Sequence, residues 1–220
     1  MSKSLALLFA LVFLLALCVI TGKPVYAPSQ MWAQTYDRDM SLDWAFSLVT
    51  SPDGGYAIAG YTTYSNGTNY DFWLVKTDGV GNVEWNQTYG GPAVDTPRTL
   101  VVTSDGGYAI AGTTDSFGAG NTDFWLVKTD AAGNMEWNRT YGGADYDIAS
   151  SLVATVDGGY AIAGSTVSFG IGGGDFWLVK TDENGVVPEA SWVILSFLLA
   201  ATLAILIGKK KLLYSRSKQR

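Results

Sequence analysis

The octapeptide DGGYAIAG occurs three times in the chain, at residues 53–60, 105–112 and 157–164. Successive copies begin 52 residues apart, and the sequence around them repeats with the same period. A period near 50 residues is typical of solenoids, propellers and arrays, in which each repeat forms one supersecondary unit. The sequence therefore predicts a body built from three copies of one module.

The first half of the module predicts a tight β-hairpin. In the second copy, residues 100–103 form a short strand rich in Val and Thr, and the DGG that follows supplies the positive φ angles of a tight turn. The next strand, residues 108–114, places Tyr108, Ile110 and Gly112 on one face and Ala109 and Ala111 on the other. The flat alanine face permits another sheet to approach closely.

The second half of the module predicts two further strands. Residues 123–129 contain the continuous apolar run FWLV, which indicates a strand that is buried on both faces. A glycine-containing turn then leads to a fourth strand at residues 135–141. Four short strands joined by tight turns describe a meander, and the repeat length fits one blade of a β-propeller.

The first and last strands of the body complement each other. MWAQTY at residues 31–36 matches EWNQTY at residues 84–89, a fourth strand, although no earlier strands precede it. The last module reaches Asp182 and continues into a linker without a fourth strand. We therefore expect the N-terminal strand to complete the last blade.

The predicted body is an all-β domain of three four-stranded, propeller-like blades at residues 31–182. Three blades are fewer than the roughly four to eight of closed propellers. A compact three-blade ring, an open arc and a homodimer that shares a six-blade ring all fit the copy number. Three four-stranded repeats also fit a β-trefoil or a β-prism, both of which are lectin-like folds.

The repeated segments DGGYxxAG, DFWLVKTDxxGN and WNxTYGG resemble those of a family of archaeal surface proteins with tandem repeats of this type. The resemblance covers residues 31–182. It implies propeller-type blades on a cell surface, although members of that family usually carry more copies.

The two ends of the chain predict export and anchoring. A basic start and the apolar run at residues 5–20 predict a secretory signal peptide, residues 1–27, in which Val25-Tyr26-Ala27 offers small residues for cleavage after Ala27. After a linker at residues 183–190, an apolar stretch at residues 191–208 is long enough for a transmembrane helix, and a basic tail follows at residues 209–220. The basic tail predicts a cytoplasmic C-terminus and an extracellular β domain at the cell membrane.

The C-terminal order of VPEASW, apolar helix and basic cluster also resembles the PEF-CTERM sorting signal of archaeal surface proteins. Pro188 and Glu189 match that motif, whereas Ala190 stands where the motif has Phe. The resemblance implies processing by a sortase-like enzyme, and a plain membrane anchor is the simpler interpretation.

Composition excludes several kinds of chemistry. The chain has no histidine, and its only cysteine, Cys18, lies in the signal segment, so the body lacks His- and Cys-based nucleophiles and the commonest zinc ligands. Between residues 28 and 190, six basic residues face all 20 acidic residues, a net charge of −14. Such a body repels phosphate backbones, so we expect no nucleic-acid partner. With no cofactor-binding motif found, we also expect no cofactor.

Most of the acidic residues recur in register and are therefore expected to serve turns, caps and strand ends. Paired acids can also hydrolyse glycosides, and loop carboxylates such as Asp95 and Asp147 are the candidates for that alternative. The turns TDGVGN and TDAAGN supply oxygen atoms around a glycine but lack the dense acidic pattern of a calcium loop. Turn chemistry accounts for them, and no metal ligand is assigned.

Residues that break the repeat are the better candidates for function, because the fold of a module does not require them. Aromatic and charged side chains of this kind can stack on sugars or hold a peptide. The candidate ligand contacts are Trp44, Tyr64, Tyr70, Arg98 and Tyr146. The N-x-[ST] sequons at Asn66, Asn86 and Asn138 are candidate glycosylation sites.

These patterns favour a membrane-anchored, non-enzymatic surface protein that binds or adheres to surface glycans or proteins. The alternatives are a surface glycoside-acting enzyme and a purely structural envelope protein.

Overall fold

The structure is a computed structural model that describes residues 31–63 and 69–188. The predicted signal peptide, transmembrane helix and basic tail lie outside these residues, as do Tyr64 and Asn66. Within the described ranges, no helix is long and apolar enough to cross a membrane. All the described strands belong to the compact unit Thr35–Arg220, and residues 31–34, from the unit Met1–Gln34, carry neither helix nor strand.

Eleven antiparallel β-strands make up the described body, as the all-β prediction expected. They are β1 (Asp43–Thr50), β2 (Tyr56–Thr63), β3 (Tyr70–Thr77), β4 (Val83–Tyr89), β5 (Asp95–Val102), β6 (Tyr108–Thr114), β7 (Asp123–Thr129), β8 (Met135–Tyr141), β9 (Asp147–Ala154), β10 (Tyr160–Thr166) and β11 (Asp175–Thr181).

Each module forms its own sheet. The first sheet has the order β1-β2-β3-β4, the second β5-β6-β7-β8, and the third, in its described residues, β9-β10-β11. Neighbouring strands within a sheet are consecutive in sequence, so each sheet is a meander. The four-stranded module is therefore confirmed for the first two repeats.

The predicted N-terminal strand differs from the structure. Residues 31–37 form no strand, and the third sheet ends at β11. Tyr36, the last residue of the predicted strand, donates a hydrogen bond from its hydroxyl to the carbonyl of Gly81, which follows β3. This bond holds Tyr36 at the first sheet, whereas the incomplete sheet is the third.

The DGG of the octapeptide is explained by the turn between the first two strands of each sheet. Gly54 has a φ of +89°, which favours glycine, and the Asp53 carboxylate accepts a hydrogen bond from the Gly55 backbone N–H at 3.0 Å. A Cβ on Gly55 would lie 1.9 Å from the carbonyl oxygen of Thr77. The same contacts recur in the other two modules, so all three residues of the DGG segment are needed to form the turn.

The YAIAG that follows the turn decides how the sheets stack. In the second sheet, Tyr108 and Ile110 pack against the first sheet, and Ala109 and Ala111 pack against the third. We call the face with the Tyr and Ile the front face of a sheet and the face with the alanines its back face. The predicted flat alanine face is confirmed, and it is the face on which the next sheet packs.

Strand β7 carries its four apolar residues to both faces of the second sheet. Trp125 and Val127 lie on the front face, and Phe124 and Leu126 lie on the back face. All four are at most 1% exposed. The predicted burial on both faces is thus confirmed for β7, and the core consists of the two layers between the three sheets.

Candidate functional site

Four aromatic side chains of the first sheet form a row, which we call the aromatic row: Trp44, Phe46, Tyr61 and Tyr70. The ring centroid of Tyr61 lies 5.7 Å from that of Phe46 and 4.8 Å from that of Tyr70. Trp44 pairs directly with Tyr61 across the ladder between β1 and β2. Residues directly opposite in a ladder share one face of the sheet, so Trp44 extends the row.

The local backbone explains how these residues meet. The register of β1 against β2 shifts between Ala45 and Ser47, a bulge that leaves Phe46 without a paired residue on β2. A bulge bends its strand and redirects side chains, and here it brings Phe46 beside Tyr61. Tyr70 reaches the same place because it begins β3, opposite Thr63 at the end of β2.

A positive charge from the second sheet completes the cluster. The Arg98 guanidinium, on β5, lies 5.1 Å above the ring of Phe46, within the range of a cation–π interaction. Asn69 donates a hydrogen bond to the Gly91 carbonyl at 2.9 Å and so ties the start of β3 to the segment that leads into β5. The aromatic row therefore lies where the first and second sheets meet.

Much of the aromatic row is open to solvent. Trp44 is 58% exposed and Phe46 is 38% exposed, whereas Tyr61 and Tyr70 are half-buried. Burial raises the pKa of Tyr61, and neighbouring Tyr70 adds to the shift. The Tyr61 hydroxyl therefore keeps its proton at neutral pH. The cluster offers aromatic faces for stacking, hydroxyl groups for hydrogen bonds and one guanidinium.

The aromatic row belongs to the first module alone. Its members and their equivalents in the second and third modules are Trp44, Thr96 and Ile148; Phe46, Arg98 and Ser150; Tyr61, Thr113 and Ser165; and Tyr70, Thr122 and Gly174. The second and third modules fold without aromatic residues at these positions. The fold of a module therefore does not require them.

The structure brings together three of the five predicted contacts. Trp44, Tyr70 and Arg98 lie in one cluster, and Tyr64 lies outside the described residues. Tyr146 is 54% exposed, but it pairs with Thr122 just before β9 and belongs to the third module.

Phe46 and Tyr61 complete the cluster and were not among the predicted contacts. Both break the repeat as strongly as Tyr70 does, so the same criterion could have found them.

The acids that were candidates for a glycosidase are buried and hydrogen-bonded. The Asp95 carboxylate accepts hydrogen bonds at 2.8 Å from the Gly91 backbone N–H and from the Ser116 hydroxyl. Asp147 accepts the equivalent backbone bond from the Gly143 N–H at 2.8 Å, and a different side-chain bond, from the Thr166 hydroxyl. Both carboxylates are 0% exposed, and burial raises the pKa of Asp95. Their positions fit the structural interpretation of the repeated acids.

The turns considered for calcium are held by their own side chains. Asp78 accepts hydrogen bonds from the backbone N–H groups of Val80 and Asn82, and the Asn82 amide donates to the same carboxylate at 2.8 Å. Asp130 and Asn134 repeat the pattern in the second module. Among the residues that the structure describes, no group of three or more acidic or other ligating side chains could hold a metal ion.

Two of the three predicted glycosylation sites lie on exposed strands. Asn86 and Asn138 are exposed, and their side-chain oxygens accept hydrogen bonds from the indole N–H groups of Trp73 and Trp125, at 3.1 and 3.2 Å. These bonds explain why the asparagine recurs with the repeat. Glycosylation itself stays a prediction.

No protein-family model matches the chain. A search of curated proteins likewise gives no match.

Proposed function

We propose that the chain is a membrane-anchored, non-enzymatic surface protein that binds carbohydrate through the aromatic row. The observation that carries this proposal is that the rings of Phe46, Tyr61 and Tyr70 meet on one partly exposed patch, with Trp44 paired to Tyr61 on the neighbouring strand. The other two modules fold without aromatic residues at these positions. Aromatic faces stack on the apolar faces of sugars, while tyrosine hydroxyls and a guanidinium supply the directional contacts that sugar hydroxyls need.

We further propose that the three sheets are blades of a propeller-like arrangement. The middle sheet is buried on both faces, and the second and third sheets each pack their front face on the back face of the sheet before them. A prism with one inward face per sheet would leave the other face of the middle sheet open. Stacked meanders of this kind are the building principle of propellers.

Location is proposed from the terminal segments alone. The apolar run before the basic tail would anchor the chain, and the signal segment would place the β domain outside the cell. Protease added to intact cells should remove the β domain and leave the tail protected. Protection of the β domain in intact cells would contradict this location.

A non-enzymatic role is supported by the state of the acids. Glycosidases need two accessible carboxyl groups, roughly 5–10 Å apart, that flank the scissile bond. Asp95 and Asp147, the candidates for that chemistry, are fully buried and already accept structural hydrogen bonds.

Binding to an oligosaccharide array tests the proposed function. The full chain in detergent should bind a subset of neutral or acidic glycans, and Tyr70→Ala should weaken that binding by roughly 10-fold or more, as expected for the loss of one stacking contact. Thr122→Ala, at the equivalent position of the second module, is the matched control and should bind normally.

Two results would reject this function. One is no saturable binding to any glycan by the folded chain. The other is equal loss of binding in both variants, because that pattern would place the ligand elsewhere.

A further inference from the structure

The back face of the third sheet is apolar and open to solvent. Phe176 is 102% exposed and Leu178 is 68% exposed, and Ala163 beside them is exposed as well. Their equivalents on the second sheet, Phe124 and Leu126, are fully buried. A following sheet thus covers the back face of the first and second sheets, whereas none of the residues that the structure describes covers the back face of the third.

The junction between the first and second sheets shows what covers such a face. The ring of Phe72, on the back of the first sheet, lies 4.6 Å from the ring of Trp125 on the front of the second sheet. A Cβ on Gly112 would lie 2.8 Å from the Phe72 Cζ atom. The phenylalanine therefore packs beside a tryptophan and over a glycine that leaves room for its ring.

The junction between the second and third sheets repeats this arrangement. The ring of Phe124 lies 4.8 Å from the ring of Trp177, and a Cβ on Gly164 would lie 2.7 Å from the Phe124 Cζ atom. Two independent junctions in the same chain thus use one contact, a phenylalanine set against a tryptophan and a glycine.

The front face of the first sheet has the matching half of this contact. Gly60 and Trp73 are the equivalents of Gly112 and Trp125, and together with Ile58 they line a cavity of about 240 Å³. A cavity of about 150 Å³ is already large enough to bind benzene. Among the described residues, no phenylalanine from a preceding sheet fills this cavity.

The hydrogen bond of Tyr36 also indicates where a sheet preceding the first sheet would pack. The Tyr89 hydroxyl at the end of β4 donates to the Gly133 carbonyl of the second sheet, and Tyr141 at the end of β8 donates to Gly185, each at 2.6 Å. Tyr36 makes the equivalent bond to Gly81. It therefore stands where the last residue of a preceding sheet's fourth strand would stand.

We propose that a second copy of this chain supplies both the phenylalanine that would fill the cavity on the first sheet and the sheet that would cover Phe176. Phe176 of each copy enters the cavity beside Gly60 and Trp73 of the other, and the segment that ends at Tyr36 becomes the fourth strand of the other copy's third sheet. Two such junctions, related by a two-fold axis, close a ring of six sheets, within the range of roughly four to eight in closed propellers. Trp44 also lines this cavity, so the proposed dimer contact touches one end of the aromatic row, whereas the ring contacts among the other three members of the row lie on the back face of the first sheet.

A cysteine pair tests the proposed junction. Thr122 and Tyr146 form a β-bridge between the second and third modules, and their equivalents at the proposed junction are Gly174 and Leu42. Bridged strands lie roughly 4.8 Å apart, which suits a disulfide. The full chain with Leu42→Cys and Gly174→Cys, in a Cys18→Ser background, should oxidise to a reducible species of twice the chain mass.

Two controls distinguish a cross-link at the proposed junction from cross-links formed elsewhere. The pair Thr122→Cys and Tyr146→Cys should form its disulfide within one chain and keep the monomer mass. Mixing the two single variants should give a cross-linked dimer, whereas Gly174→Cys alone should give none. A cross-link in Gly174→Cys alone, a ladder of larger species, or only monomer from the double variant would each overturn the proposal.

A second test places a negative charge at position 176 to weaken the dimer. Phe176→Asp should raise the dimer dissociation constant in sedimentation by roughly 30-fold or more, the effect of losing a hot-spot residue. Val156→Asp, in an equally exposed turn of the third module, is the matched control and should leave the constant unchanged. An unchanged constant in Phe176→Asp would contradict the proposed contact.

Discussion

Strands β7 and β11 have the same seven residues, DFWLVKT, and opposite surroundings. In β7 every residue is buried, whereas in β11 only Val179 and Thr181 are. Phe124 is 0% exposed and its equivalent Phe176 is 102% exposed. Both strands pair with the strand before them in the same register. Local sequence thus sets the strand and its pairing, and the neighbouring sheet sets the burial.

The lysines of the two strands show the same contrast. Lys128 in β7 forms ion pairs with Asp105 and Glu136, both at 2.7 Å, and its side chain is 6% exposed. Lys180 in β11 pairs with Asp157 alone among the described residues, and its side chain is 41% exposed. The second partner of Lys128, Glu136, lies on the fourth strand of its sheet, and the described residues of the third sheet include no fourth strand.

The largest expected difference concerns the two phenylalanines. Phe124→Ala should lower the free energy of unfolding by about 3–5 kcal/mol, because it leaves a cavity between two sheets. Phe176→Ala should change it by less than about 0.5 kcal/mol at concentrations where the chain is a monomer. Urea unfolding followed by tryptophan fluorescence measures both. Equal effects would show that the back face of the third sheet is covered within one chain.

Enlarging the flat face should give the next effect. Ala111 is fully buried against the third sheet, so Ala111→Leu should cost about 1–3 kcal/mol through overpacking. Ala163→Leu, the same change on the bare back face, should be close to neutral in the monomer. Thermal unfolding of the pair provides the check, and a neutral Ala111→Leu would mean that the sheets do not pack as closely as described.

Loss of the lysine ion pairs should have a smaller effect. Lys128→Met should lower the free energy of unfolding by about 1–2 kcal/mol, because charged hydrogen bonds to two acids and to the Thr129 carbonyl are lost. Lys180→Met should cost about 0.5 kcal/mol or less, as is usual for an exposed pair. A larger loss in Lys180→Met, measured by urea unfolding of the monomer, would contradict the contrast between the two strands.

The pH dependence of the Lys128 ion pairs should be the smallest effect. Burial alone would raise the pKa of Asp105, but hydrogen bonds from Lys128 and Thr103 outweigh it and lower the pKa to about 2. A carboxylate with a lowered pKa stabilises the fold above its unfolded value of 3.8, and this stability is lost as pH falls through about 2. The cost of Asp105→Asn should therefore shrink between about pH 5 and pH 2.

Urea midpoints across this pH range measure the change. Asp157→Asn is the matched variant in the third module. The lysine partner of Asp157 is 41% exposed, against 6% for Lys128, so salt at about 0.5 M should reduce the effect of this variant more strongly than that of Asp105→Asn. A cost of Asp105→Asn that does not vary with pH would show that the ion pair contributes nothing to stability.

The sequence predicted the parts of the fold that depend on local chemistry. The DGG turn, the alanine face and the buried FWLV run of β7 each follow from residues close in sequence, and the 52-residue period follows from comparing the three copies. The state of β11 could not be predicted, because its residues are the same as those of β7 and only the presence of a following sheet differs. The place of Tyr36 could not be predicted either, since its partner Gly81 is 45 residues away.

The candidate site was predicted in part for a similar reason. Comparing the repeats found Trp44, Tyr70 and Arg98, because each departs from its equivalents. Whether departing residues meet depends on the strand register and on the bulge beside Phe46, and these follow from pairing across strands. Tyr146 departs from the repeat too, but it lies on another sheet.

The mass of the assembled chain tests most directly whether the bare faces of the first and third sheets belong together. Sedimentation of the full chain in detergent, over a range of protein concentrations, should show a dimer of twice the chain mass that dissociates on dilution. A chain that stays a monomer at every concentration would contradict the account, because both faces would then remain uncovered.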